Sequence, residues 1–129
     1  MRRHSLGFTL IELLVVVAII GIISAIGVVA YSGYKASAEK KKAELTLNSI
    51  YLAEEEYKSN NGSYFQSSSA TQIATELFDG KNEDEFKNQN YQFSIEVSGD
   101  TFKIIAKQKK NGSCTLTLNE KNKLTPSGC

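Results

Sequence analysis

The 129-residue chain has no tryptophan, one proline (Pro126), one histidine (His4) and two cysteines, Cys114 and Cys129. Each scarcity removes a class of function. The one histidine lies in the basic terminal stretch ahead of the apolar run, where a removed leader would take it away, and two cysteines with no histidine near them in the chain make a poor metal site. No enzyme activity, metal or cofactor is therefore expected. One proline near the end leaves no proline-rich linker, and the length suits one modest domain. Neither sign of charge dominates. The formal net charge is +1, and losing Arg2 and Arg3 from the 15 basic residues would leave 13 against 14 acidic ones. The chain as a whole is not a bulk nucleic-acid binder.

What the chain does have is a long apolar run. Residues 8–30 carry Glu12 as their only charge, with Thr9 and Ser24 the only other polar side chains. As a helix rising about 1.5 Å per residue they cover the roughly 30 Å hydrocarbon core of a bilayer. Arg2 and Arg3 precede the run, which holds the N-terminus in the cytoplasm and sends the remainder outward. No turn signal ends it. Ala43, Leu47, Ile50, Ala53 and Tyr57 recur at helical spacing, while Glu39, Lys40, Lys42, Glu44, Glu55 and Lys58 supply much of the other face. Asn60-Asn61-Gly62 is the first stop signal, so the pattern predicts one helix from about Phe8 to about Ser59. Its first half is apolar all round and is solvated by lipid or by other helices. Its second half has one apolar stripe, suited to packing on a soluble domain.

Residues 60–90 are polar, with a short helix predicted over 71–78 (TQIATELF). From Tyr91 the period becomes two: YQFSIEV, a turn at Ser98-Gly99-Asp100, then TFKIIAK. Asn111-Gly112 is a type I′ hairpin signal leading to CTLTL as a third strand, and KLT before Pro126 adds a short edge. The expected fold is α+β, a long N-terminal helix packed on an antiparallel sheet of three or four strands.

Three smaller features carry chemistry. Cys114 and Cys129 follow a membrane-targeting segment and read as one disulfide formed outside the cytoplasm, the alternatives being a metal pair or two free thiols. Lys107, Lys109 and Lys110 crowd one hairpin tip, with Lys103, Lys121 and Lys123 as candidate neighbours. Three or four lysines give only weak, salt-sensitive DNA binding; the competing reading is a solvated hairpin whose lysines keep an edge strand from pairing. Residues 82–85 (NEDE) lack the oxygen spacing and glycine of a calcium loop and read as a solvated acidic turn.

The most specific pattern lies at the start: a short basic leader ending in Gly7, then Phe8-Thr9-Leu10-Ile11-Glu12, then the unbroken apolar run. Over residues 1–34 this resembles the class III leader of type IV prepilins and the related pseudopilins. Farther on the likeness is one of layout, and CTLTLNEKNKLTPSGC is similar to the end of small type IVa pilins. The resemblance implies three parts: a removed leader (1–7), a transmembrane and filament-core helix (8–30), and a periplasmic or surface domain (31–129). It implies that a prepilin peptidase cuts between Gly7 and Phe8 and methylates the new amine of Phe8. The product would wait in the inner membrane as a single-pass precursor. An inner-membrane assembly platform would then draw it, with copies of itself and other pilins, into an extracellular pilus.

Glu12 has a physical place in that scheme. An unpaired charge inside a bilayer costs roughly 2.5–3.5 kcal/mol or more, so such residues usually have partners. Cleavage after Gly7 would create one, the ammonium of Phe8, and the resemblance implies that Glu12 pairs with this amine on an adjacent subunit. Apolar helices slide freely against one another, and one buried charge pair sets their register. The bland alternative is a carboxylate reaching lipid headgroups at the membrane edge.

Three other readings stay open. An ordinary signal peptidase cutting after Val28-Val29-Ala30 would release a soluble protein, although the run is longer than a usual signal core and Glu12 interrupts it. The chain would alternatively serve as a DNA-binding or adhesive minor pilin, or as a pseudopilin of a type II secretion system. One departure from the family pattern is Val29, which stands where members commonly carry a proline. Any loosening near Gly21 and Gly27 is accordingly expected to be mild.

Overall fold

A computed structural model of the chain describes residues 7–110 and 112–129. The leader before Gly7 and Asn111 of the expected hairpin turn lie outside the described residues.

Helix α1 spans Leu10–Asn61 and runs unbroken through Gly21, Gly27 and Val29. It stops where the Asn-Asn-Gly signal places the end. Gly62 adopts φ +82°, a conformation costly for any side chain, and its N–H donates to the Lys58 carbonyl at 2.7 Å. The chain divides into two compact units, the first ending at Ser37 and the second running Ala38–Cys129. In the first, every described residue is exposed.

In the second unit α1 sends Ala43, Leu47 and Ile50 into the core, all with no exposed surface. Helix α2 (Ala70–Phe78) begins at Ser69, whose hydroxyl accepts the Gln72 N–H, and it adds Ile73 and Ala74. The expected acidic turn is instead a short helix, α3 (Glu83–Lys87). Glu83 and Lys87 pair across its single turn, and Phe86 enters the core.

Four strands follow as an antiparallel meander: β1 (Tyr91–Ser98), β2 (Thr101–Gln108), β3 (Thr115–Asn119) and β4 (Leu124–Ser127). Alternation turns Tyr91, Phe93, Ile95, Phe102, Ile104, Ala106, Leu116 and Leu118 onto the helices. The α+β architecture is the one expected. Gly99, with φ +59°, takes the first central position of the two-residue turn between Ser98 and Thr101. Ser67 bonds Ile95 in both directions and covers the outer edge of β1. At the other edge β4 passes through Pro126, which an edge strand tolerates because one of its sides needs no donor.

The connection from β2 to β3 differs from the expected two-residue turn. It has six residues, and Cys114 belongs to it rather than to β3. The reason is that Gln108 closes the loop twice. Its N–H donates to the Cys114 carbonyl at 2.8 Å, and its Oε1 accepts the Cys114 N–H at 3.1 Å. Gly112 leaves room for this amide, since a Cβ at that position would collide with the Gln108 side chain.

Candidate assembly site and basic loop

In the first unit the candidate residues sit at the start of α1. Phe8 is 79% exposed, and Leu10 to Val29 present large apolar side chains to solvent on every side. This is the one helix among the described residues that is long and apolar enough to cross a membrane. Glu12 has a second role that its charge alone does not suggest. The Thr9 N–H donates to Glu12 Oε2, and the Glu12 N–H donates to Thr9 Oγ1, each at 3.2 Å. This reciprocal pair is a capping box that satisfies two of the free N–H groups of the helix start. Its signal, Thr-x-x-Glu ahead of an apolar run, is present in the sequence. One carboxylate oxygen suffices for the cap, so Glu12 keeps further acceptor capacity for a cationic donor.

The second unit holds a carboxylate whose charge hides it from a hydrophobic pattern, although the spacing 43, 47, 50, 54 puts it on the buried face of α1. Glu54 lies four residues after Ile50 on the core side of α1 and has no exposed surface. Both of its oxygens accept the Phe65 N–H, at 3.1 and 3.2 Å, and no cation pairs with it among the described residues. Burial pushes its pKa from 4.5 up to about 7, against the lowering effect of the Phe65 N–H, and the charge of Glu55 adds to the rise.

Cys114 and Cys129 form a disulfide, with Cα atoms 4.5 Å apart. Gly128, at φ +71°, passes so close to the Ser113 carbonyl that a Cβ would stand 2.7 Å from it.

The lysines separate into two groups. The meander places the β1–β2 and β3–β4 turns at one end of the sheet and the β2–β3 loop at the other. Lys121 and Lys123, whose N–H groups bond Asn119 Oδ1, therefore lie at the end opposite Lys109 and Lys110. Lys103 is engaged with Glu96 at 3.3 Å. The expected six-lysine neighbourhood reduces to Lys107, Lys109 and Lys110. Lys107 is exposed on the outer sheet face between Gln92 and Thr115. Lys109 turns its ammonium to the Lys87 carbonyl at 3.1 Å. None of the three forms an ion pair among the described residues.

Residues 2–28 match the family model of the prokaryotic N-terminal methylation motif. Residues 30–118 match the model described as "Type IV minor pilin ComP, DNA uptake sequence receptor". A type IV major pilin protein PilE of Neisseria gonorrhoeae is 36% identical over 95% of this chain and 61% of its own length. A second gonococcal sequence, PilE1, is 37% identical over 70% of this chain and 51% of its own. The fimbrial protein EcpC of Eikenella corrodens is 35% identical over 87% and 68%. The chain thus spans between half and two thirds of the length of these two gonococcal relatives. No solved structure matches it.

The chain belongs to the type IV pilins, in the family that the second model describes. The family is one of structural pilins, not an enzyme family.

Proposed function

We propose that this chain is a pilus subunit stored as a single-pass inner-membrane precursor, cut between Gly7 and Phe8 by a prepilin peptidase and methylated on Phe8. Residues 8–30 then leave lipid for the filament core, and the domain beyond them, periplasmic before export, forms the pilus surface. The observation that carries this reading is the all-round exposure of the apolar half of α1. Such a surface needs either lipid or other helices as its solvent, and a pilin uses the two in turn. Glu12 pairs with the amine of a neighbouring Phe8 and sets register while continuing to cap its own helix. Mass spectrometry of the membrane fraction tests the processing step. An N-terminal methyl-phenylalanine is expected, and a mature chain beginning at Tyr31 would overturn the reading.

A second activity is supported by the family description and by three lysines that form no ion pair among the described residues. As a minor pilin, the subunit contacts the phosphate backbone of DNA through Lys107, Lys109 and Lys110. Changing all three to glutamate removes DNA binding at low salt if this is right, and unchanged binding rejects it.

A further inference from the structure

Asn90, in the joint between α3 and β1, makes four hydrogen bonds to two distant segments. Its backbone carbonyl accepts the Lys109 N–H at 2.9 Å, which extends the β1–β2 ladder one step beyond Tyr91 and Gln108. Its side-chain Oδ1 accepts the Lys110 N–H at 3.1 Å, and its Nδ2 donates to the Lys110 carbonyl at 3.0 Å. The other Nδ2 hydrogen reaches Glu39 Oε2 on α1 at 3.2 Å. These partners settle the amide orientation, because the Lys110 N–H requires an oxygen while the carbonyl and the carboxylate require donors. The side chain thus acts as a substitute peptide unit. It satisfies both backbone groups of Lys110 after the strand has ended and fastens that point to α1.

We propose that Asn90 is the positioning residue of the basic loop, holding the Lys109–Lys110 backbone so that Lys107 and Lys110 engage one nucleic-acid backbone together. This rests on the DNA-contact reading above. A six-residue loop without such a tether keeps the same charge but must order itself on binding, and that ordering weakens association. Asn90 touches no ligand in this account; it acts through the two lysines.

The test uses the full-length chain in detergent and a duplex DNA probe, with affinity followed across salt. Each phosphate neutralised contributes about −0.9 to the slope of log K against log salt. Asn90→Ala is expected to weaken binding about tenfold at low salt and to lower the slope by about one phosphate. Ile73→Val, which trims the buried core away from the loop, provides the comparison: it should lower the thermal midpoint and leave the slope unchanged. Should Asn90→Ala fold poorly, Asn90→Ser keeps one hydroxyl for Lys110 and should shift affinity and slope the same way by less. Wild-type affinity and slope in the Asn90 variant, with binding lost in the triple lysine variant, would overturn the positioning role alone. An equal slope change in Ile73→Val would overturn it as well, by showing a general loss of stability. Unchanged binding by the triple lysine variant would remove the DNA reading and this inference together.

Discussion

Glu54 makes the stability of this pilin depend on pH in a direction opposite to that of most carboxylates. The usual acid gains a partner on folding and is held below its ordinary pKa; Glu54 is buried with no cation paired to it among the described residues and is held above it. In the unfolded chain it titrates near 4.5, and in the folded one near 7. Below the unfolded value both states are protonated and the full stability is present. As pH rises, the unfolded carboxyl ionises first and gains hydration, while the folded one cannot ionise cheaply. Stability therefore falls between about pH 4.5 and about pH 7, and the displacement corresponds to a loss of up to about 3 kcal/mol. Glu54→Gln keeps an oxygen for the Phe65 N–H and removes the ionisation. Unfolding of the full-length chain by urea or heat at about pH 5 and about pH 8 provides the assay. Wild type should lose stability across that interval and the glutamine variant should lose much less, becoming the more stable of the two at the alkaline end. Equal pH slopes in the two proteins, or a wild type that gains stability toward pH 8, would show that the carboxylate is hydrated and refute the argument.

Two further outcomes follow from the geometry. Glu12→Gln preserves the capping box, since glutamine serves at that position, but abolishes the charge; Glu12→Val abolishes both. If charge sets register, both variants are cut and inserted but assemble poorly, and normal pilus yield from Glu12→Gln would reduce Glu12 to a helix cap. Changing Cys114 and Cys129 together to serine should cost roughly 3 kcal/mol, read as a lower denaturant midpoint in the non-reduced protein. An unchanged midpoint would mean that the β3–β4 pairing holds the segment from Cys114 to Cys129 together unaided.

Hydrophobic periodicity is a local property, and whatever it controls was open to reading along the chain. The apolar run read as a helix, and residues 10–30 are helical with every side chain exposed. Ala43, Leu47 and Ile50 marked the face that α1 buries, and alternation from Tyr91 to Lys107 marked β1 and β2. The N-terminal methylation motif matched over residues 2–28 is equally local. Tertiary structure decided what depends on partners far along the chain. Glu54 follows Ala43, Leu47 and Ile50 at helical spacing, but only the fold brings the Phe65 N–H to its carboxylate. The β2–β3 turn was misjudged because Asn-Gly suits a tight hairpin. The connection is longer because the Gln108 amide bonds Cys114, which the disulfide also holds to Cys129. Lysines close in sequence proved to lie at opposite ends of the sheet because a meander reverses direction at every turn. Asn90 could not have been singled out at all. Its partners stand 51 and 20 residues away, and a side-chain amide announces no partner until the fold brings one within reach.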